Sequence, residues 1–241
     1  MKRIVLMTLV LLGSKQVAAY KIGLCIMATG RYDTYAEKFI ESARKYFLTN
    51  HEVTYFVFTD GSVKTAPDVV QIYQKRLGWP HDTLMRFSVY GKHKDAMRSM
   101  DYIFASDADM LFVAPVEEKI LGRRVATQHP GFVGKRGTYE IRRSSTACVT
   151  REEGEYYFAG GFYGAQREDF FKMMDRLTEK VQIDLDNNFI AVWHDESHLN
   201  RYFIDHKPTV ILSPNYCCPE TWQMPKRKLL ALDKNHDAMR K

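Results

Sequence analysis

The sequence predicts an α/β protein with a mixed, mostly parallel sheet flanked by helices. Its opening elements are an apolar strand at Lys21 to Ala28, an amphipathic helix at Asp33 to Phe47 and a β-branched, aromatic strand at Val53 to Thr59. A strand, a helix and a strand at this spacing form a βαβ unit, which predicts parallel pairing and a right-handed crossover. The length of 241 residues and the 45% hydrophobic content are enough for one large domain with a substantial core.

The same alternation continues further along the chain. We expect a short strand near Val69 to Tyr73, a helix near Asp82 to Met97 and a strand at Asp101 to Ala105. No internal repeat or long linker interrupts the chain, so we interpret residues 20–224 as one domain. Ligands of such sheets bind beyond the carboxyl ends of the strands, so functional residues are expected directly after Ala105.

The formal net charge of +6 is concentrated at the two ends of the chain. Residues 1–19 contain three basic residues and no acid, and residues 225–241 contain six basic residues and two acids. The remaining body therefore carries a net charge of −1. A duplex-binding protein needs a basic surface across its domain, so we expect no nucleic-acid partner.

The N-terminal segment has the order of a secretory signal. Lys2 and Arg3 precede an apolar run at Ile4 to Leu12, and small residues follow as far as Ala19. The run is shorter than the roughly 20 residues that cross a bilayer, so we expect no transmembrane span. A genuine signal implies a secreted, periplasmic or lumenal protein, and a simple N-terminal extension implies a cytoplasmic one; the sequence leaves both open.

Asp107 and Asp109 directly follow the strand that ends at Ala105 and directly precede a second apolar run. Two carboxylates one residue apart can hold a hard divalent cation and leave positions open for a diphosphate. Mn²⁺ or Mg²⁺ would neutralise the charge on a nucleoside-diphosphate leaving group. Most Asp pairs are turn residues, but solvated turn acids rarely lie between two buried strands.

His194 and His198 have the i, i+4 spacing of the zinc-protease motif H-E-x-x-H. The match fails in detail, because Asp195 takes the place of the glutamate and Glu196 points away from the two-histidine face. Asp195 could instead cap the helix that follows it. The four cysteines also lack zinc-binding spacing, so a zinc hydrolase is a poor second interpretation.

Two further segments have chemistry of their own. Residues 154–165 place aromatic side chains on both sides of Gly160 and Gly161, which suits stacking on a sugar and is equally typical of a strand with a β-bulge. The basic tail, residues 225–241, contains Lys234 and Arg240, which could close over a phosphate group. A solvated terminus is the default interpretation of such a tail.

Eight segments together resemble glycosyltransferase family 6, the retaining α1,3-galactosyl- and N-acetylgalactosaminyltransferases. They occur in the family's order between about Lys21 and Arg240, and the block AVWHDESHLN at Ala191 to Asn200 is highly specific. The other seven are FVFTD at 56–60, DAD at 107–109, HPGF at 129–132, GEYY at 154–157, KPT at 207–209, LSPNY at 212–216 and KNH at 234–236.

The resemblance implies a GT-A fold, in which a Rossmann-like half binds a UDP-sugar with Mn²⁺ and the other half binds the acceptor. Asp107 and Asp109 match the metal-binding pair, and Glu196 matches the carboxylate near the anomeric carbon. The remaining matches are the donor contacts Met27, Ala28, Tyr32 and Arg86, the sugar and acceptor contacts His129, Trp193 and Asp195, the donor-selecting stretch Ala159, Gly160 and Gly161, and the tail cations Lys234 and Arg240.

The function implied by the resemblance is retaining α1,3 transfer of N-acetylgalactosamine or galactose from UDP to a galactose-terminated glycan, either plain or fucosylated. Glu196 would act either as the nucleophile of a double displacement or as the stabiliser of positive charge in a same-face reaction. The alternative is a non-catalytic sugar- or nucleotide-binding protein on the same fold. The presence of the Asp pair, Glu196 and the basic tail together favours the enzyme.

Overall fold

The computed structural model describes residues 19–240, so the predicted signal segment lies outside the described residues except for Ala19. The strands are β1 Lys21–Met27, β2 Glu52–Thr59, β3 Val69–Tyr73, β4 Tyr102–Asp107, β5 Met110–Phe112, β6 Arg124–Gln128, β7 Phe158–Gln166, β8 Val210–Leu212, β9 Cys218–Pro219 and β10 Leu229–Ala231. The helices are α1 Asp33–Tyr46, α2 His81–Leu84, α3 Arg86–Lys92, α4 Lys94–Met97, α5 Arg167–Asp186, α6 His194–Asp205 and α7 His236–Arg240. In the described part of the chain, no helix is both long and apolar enough to cross a membrane.

Seven strands form one sheet in the order β3-β2-β1-β4-β7-β6-β8. Strands β3, β2, β1 and β4 are parallel, β7 is antiparallel to β4 and β6, and β8 is parallel to β6. Strands β5, β10 and β9 form a small second sheet. The predicted α/β class with a mostly parallel, GT-A-like sheet is confirmed.

Helices cover both faces of the large sheet. On one face, Phe39 of α1 packs in the same cluster as Leu24 of β1. On the other face, Phe87 of α3 and Met174 of α5 belong to a second cluster that includes Cys25. Burial on both faces explains why β1 and β4 appear as nearly continuous apolar runs rather than as alternating patterns.

The predicted helix at Asp82 to Met97 is divided into the short helices α2, α3 and α4. The backbone leaves helical geometry at Met85, with φ −87° and ψ 2°, and at His93, with φ −112° and ψ 24°. The first break directly precedes Arg86, whose side chain is buried in the protein. Periodicity missed this division because a buried arginine is fixed by tertiary partners.

Strand β7 contains a register irregularity next to its glycine pair, as the bulge interpretation predicted. Against β6, the pairing passes from Ala126–Tyr163 to Thr127–Ala159, so residues 160–162 have no partner on β6. The pairing of β7 with β4 begins only at Phe162. The backbone N–H of Gly160 is therefore outside both ladders and can bind a side chain.

We expect Gly164→Ala to destabilise the protein. A Cβ atom at this position of β7 would lie 2.3 Å from Cδ1 of Phe104, in a packed core. Overpacking of this kind costs about 1–3 kcal/mol, which urea unfolding measures.

Gly91→Ala is the matched control, because its Cβ would lie 3.8 Å from Cβ of Met174, an ordinary contact. In a helix this change should be neutral or stabilising by up to about 1 kcal/mol. Equal stability of the two variants would contradict the packing described for β7.

Candidate active site

A cavity of about 80 Å³ lies beyond the carboxyl ends of β1 and β4. A larger cavity, of about 280 Å³, lies beside Tyr156 and Phe158 and is lined by none of the predicted site residues. Six predicted donor or metal residues line the small cavity, namely Met27, Tyr32, Arg86, Asp107, Asp109 and Lys234. Ala28, the remaining predicted uridine contact, is fully buried next to Met27. The parallel strands thus bring the predicted donor residues to one place.

Arg86 lies between two carboxylates from different elements. Its NH1 is 2.8 Å from Oδ1 of Asp107 at the end of β4, and its Nε is 3.0 Å from Oδ2 of Asp195 on α6. Only 6% of the Arg86 side chain is exposed. Burial raises the pKa of Asp195 to about 6, although the guanidinium of Arg86 opposes this shift. The ion pairs therefore connect β4 to α6 at the cavity.

Glu196 is held through both of its carboxylate oxygens. The Tyr157 hydroxyl donates to Oε1 at 2.7 Å, and the backbone N–H of Gly160 donates to Oε2 at 2.8 Å. Burial raises the pKa of Glu196 to about 7, while these two hydrogen bonds lower it. The β7 irregularity leaves the Gly160 N–H outside the sheet ladders, and this N–H is therefore free of strand pairing and binds Glu196.

The basic tail folds back onto the cavity. The Lys234 ammonium contacts the Asp109 carboxylate and lies 5.0 Å from the ring centroid of Tyr32. Arg31 donates from NH1 to the carbonyl oxygen of Ala238 at 2.9 Å, which fixes α7 beside the turn after β1. Arg240 ends α7, but its side chain lies outside the described residues. The structure thus brings Lys234 to the predicted site.

The described residues contain no group of three or more His, Cys, Asp or Glu side chains that could hold a metal by themselves. Asp107 and Asp109 nevertheless line one cavity, and carboxylate oxygens suit Mg²⁺ and Mn²⁺. The Lys234 ammonium on Asp109 shows that a positive charge is accepted there. The two carboxylates therefore fit part of the ligand set of a hard cation.

Sequence patterns did not predict that Tyr157 belongs to the site, although it lies in the GEYY segment at 154–157. Its ring is surrounded by the predicted acceptor contact His129, at 5.7 Å between centroids, and by Phe132 and Tyr139, at 4.9 and 5.0 Å. Gly137 permits this packing, because a Cβ there would lie 2.1 Å from the Tyr157 ring. Burial also lowers the pKa of His129. Tyr157 connects this cluster of aromatic residues to Glu196.

The two histidines of the i, i+4 pair have separate surroundings. The ring of His194 packs edge-on against Trp79 at 5.0 Å between centroids. His198 is buried and lies 3.6 Å from the Asp184 carboxylate, and burial lowers its pKa to about 4. Trp193 stands directly before α6 and is about half exposed. This arrangement agrees with the rejection of a zinc-protease site.

Residues 10–241 match the family model described as Glycosyltransferase family 6. The chain belongs to glycosyltransferase family 6. This family 6 chain is 35% identical over 237 residues to histo-blood group ABO system transferase 1 of Rattus norvegicus, covering 91% of this chain and 68% of the relative. It is 33% identical over 237 residues to globoside alpha-1,3-N-acetylgalactosaminyltransferase 1 of Homo sapiens, with the same coverage of 91% and 68%.

The predicted family resemblance is confirmed, and the family 6 chain is a glycosyltransferase of the hexosyltransferase class. A more distant relative is glycosyltransferase 6 domain-containing protein 1 of Mus musculus, at 27% identity over 219 residues, covering 85% of this chain and 70% of the relative. The match to the family model, over residues 10–241, includes every residue of the site described above.

We expect Glu196→Gln to stabilise the family 6 transferase at pH 8. The folded protein raises the pKa of Glu196 from about 4.5 to about 7, so the native state binds this proton more tightly than the unfolded state. The wild type therefore loses stability as pH rises through this window, whereas glutamine does not titrate. After allowance for the partial exposure of Glu196, the gain should be about 1–2 kcal/mol at pH 8.

Urea unfolding of both proteins at pH 5 and pH 8 measures this difference. The gain should largely vanish at pH 5, where Glu196 is protonated in the native state. The exposed Glu155, substituted by glutamine, serves as a control that should change neither value. An equal effect of Glu196→Gln at both pH values would contradict a buried, raised-pKa carboxyl group.

Proposed function

We propose that this transferase moves N-acetylgalactosamine or galactose from a UDP-sugar to a hydroxyl group of a galactose-containing glycan, in α1,3 linkage and with retention of configuration. The observation that carries the proposal is the Glu196 carboxylate, held by Gly160 and Tyr157 beside the Arg86–Asp107 pair. The human relative is an alpha-1,3-N-acetylgalactosaminyltransferase by name, which supports the linkage and the donor.

The donor would occupy the cavity beyond β1 and β4. Met27, Ala28 and Tyr32 are assigned to uridine, and the cavity that Met27 and Tyr32 line supports this assignment. Asp107 and Asp109 would hold Mn²⁺ or Mg²⁺ together with the diphosphate; when bound, the metal supplies positive charge to the departing UDP. The tail cations would add to this charge, and the contact of Lys234 with Asp109 supports their reach into the cavity.

Glu196 would act at the anomeric carbon of the donor sugar. The bond from this carbon to the phosphate oxygen breaks with both electrons leaving on UDP, so positive charge develops at the carbon. Ionised Glu196 can form a bond to this carbon, which breaks again when the acceptor oxygen attacks, or it can stabilise the charge while the acceptor oxygen attacks from the same face. In either route the acceptor hydroxyl loses its proton to the phosphate of the departing UDP. The pKa of about 7 supports a substantial ionised fraction at neutral pH. Tyr157 and Gly160 would keep the carboxylate oriented.

The sugar rings would lie around Glu196. Asp195 is assigned to sugar hydroxyls, and its place on the first turn of α6 beside Arg86 supports this role. His129 and Trp193 are assigned to the acceptor. Ala159, Gly160 and Gly161 would face the 2-substituent of the donor sugar, where the absence of large side chains leaves room for an N-acetyl group.

The experiment that tests the proposal is Glu196→Gln. We expect turnover to fall by about 10³-fold or more, since the reacting carbon loses its carboxylate, while the Kd for UDP changes by less than about threefold. Turnover is measured as transfer from UDP-N-acetylgalactosamine and UDP-galactose to plain and fucosylated β-galactosides with Mn²⁺ present, and the linkage is read by NMR. Glu155→Gln is the control. Turnover near that of the wild type in Glu196→Gln would refute the role of Glu196.

We expect Gly160→Ala to shift donor preference towards UDP-galactose. The added Cβ would lie 3.4 Å from Cβ of Glu196, an ordinary contact, so the fold should tolerate it. The methyl group would narrow the space for an N-acetyl group. The kcat/KM for UDP-N-acetylgalactosamine, divided by that for UDP-galactose, should therefore fall about tenfold. Gly91→Ala, at the far end of α3 from Arg86, where the added Cβ would contact Met174 and Thr178 of α5, should leave the ratio unchanged. A ratio equal to that of the wild type would place the donor sugar elsewhere.

A further inference from the structure

Between β6 and β7, the chain runs through residues 133–157 without a helix or strand. This segment nevertheless contains Glu140, of whose side chain only 1% is exposed. Acidic side chains are rarely buried to this degree unless they have several partners. The partners of Glu140 therefore indicate what the carboxylate does.

The Glu140 carboxylate contacts the turn that joins α5 to α6. Its Oε2 accepts a hydrogen bond from the backbone N–H of Val192 at 2.8 Å. Its Oε1 accepts from the backbone N–H of Arg142, and the Arg142 guanidinium donates to both oxygens. Arg142 in turn donates to the carbonyl oxygen of Ile190 at 3.1 Å and lies 4.3 Å above the ring of Phe189. Glu140 and Arg142 thus hold residues 189–192 together.

This connection, residues 189–193, is named here the Trp193 turn. The carbonyl oxygen of Ala191 accepts from His194 N–H at 2.9 Å, so Val192 and Trp193 are the two central residues of a β-turn. Trp193 has φ −117° and ψ 32°, and its N–H donates to the Ser197 hydroxyl at 3.0 Å. Its carbonyl oxygen accepts from the N–H of Glu196 at 3.0 Å. The position of Val192 therefore helps to fix the backbone that carries the Trp193 ring. Asp195 and Glu196, which follow in α6, are held separately by Arg86 and by Tyr157 and Gly160.

The Glu140 carboxylate is suited to this role because it remains ionised. Burial raises its pKa, but the Arg142 guanidinium and the N–H groups of Arg142 and Val192 lower it further, to about 2. A hydrogen bond to an ionised acceptor is roughly twice as strong as one between neutral groups. His198 also lies within the electrostatic reach of Glu140 and Asp184, and its pKa of about 4 keeps it neutral near pH 7.

We propose that Glu140 is a positioning residue of the acceptor site: its buried carboxylate fixes the Trp193 turn and, through it, the Trp193 ring. The proposal rests on the proposed function, in which Trp193 contacts the acceptor. Glu140 touches neither substrate. Its loss should therefore affect binding of the acceptor and leave the donor side of the reaction intact.

Two variants weaken the same contact from opposite sides. Glu140→Gln keeps the shape of the side chain but has one acceptor oxygen and no charge. Val192→Pro removes the donated N–H at an exposed position, and proline is favoured at the second position of a β-turn. We expect both variants to raise the acceptor KM about tenfold, with the KM of the UDP-sugar and its hydrolysis without acceptor unchanged within about twofold.

Ser145→Ala is the matched control. The Ser145 hydroxyl donates to the Asp184 carboxylate at 2.6 Å and so anchors the same irregular segment to α5 rather than to the Trp193 turn. We expect a lower Tm for this variant with an unchanged acceptor KM. Hydrogen exchange of the peptide that covers residues 188–196 should become faster in Glu140→Gln and remain unchanged in Ser145→Ala.

An unchanged acceptor KM in the folded variants, or donor and acceptor KM values that rise together, would overturn the proposal. Val192→Pro keeps this test decisive if Glu140→Gln does not fold. Should the wild type hydrolyse UDP-sugars yet transfer to no galactoside, the proposed function fails on the acceptor. The hydrogen-exchange measurement would then still decide whether Glu140 holds the Trp193 turn. Equal exchange rates in the wild type, Glu140→Gln and Ser145→Ala would show that it does not.

Discussion

The site depends on the buried guanidinium of Arg86. It connects Asp107 at the end of β4 to Asp195 at the start of α6, and its NH1 also lies 3.4 Å from the carbonyl oxygen of Gly160 on β7. A buried ion pair is seldom a large source of stability, yet removal of one partner costs about 3–5 kcal/mol because a buried charge is left unpaired. Here two carboxylates would lose their partner beside Glu196. Arg86 therefore permits three acids to lie close together near neutral pH.

Two departures from regular secondary structure make this arrangement possible. The break at Met85 ends α2 and lets Arg86 start a new helix with its side chain directed inward. The register change in β7 leaves the Gly160 N–H outside the sheet ladders, where it donates to Glu196. Each irregularity gives up ladder or helix hydrogen bonds and gains a fixed group at the cavity. At both places the backbone departs from regular secondary structure, and the departure positions a group of the site.

Helices and strands with a regular apolar pattern could be predicted from the sequence. Contacts between residues far apart in the chain could not. Apolar periodicity was sufficient for α1 and for β1 to β4, and the position of Asp107 after a strand was sufficient to locate the cavity. The bond from Tyr157 to Glu196 joins residues 39 positions apart, and the bond from Val192 to Glu140 joins residues 52 positions apart. Periodicity contains no information on such pairs. Sequence similarity located Glu196 but gave no indication of what holds it.

The acidic residues of the site explain why the C-terminal tail is basic. Asp107, Asp109, Asp195 and Glu196 come from β4, the turn after it and α6, all within a body whose net charge is −1. The donor of the proposed reaction is itself an anion, so its diphosphate would be repelled by these carboxylates without added positive charge. Arg86 already serves Asp107 and Asp195, whereas Lys234 reaches Asp109 from the C-terminal tail. Basic residues near the C-terminus can therefore offset the acids that the proposed chemistry requires in the cavity.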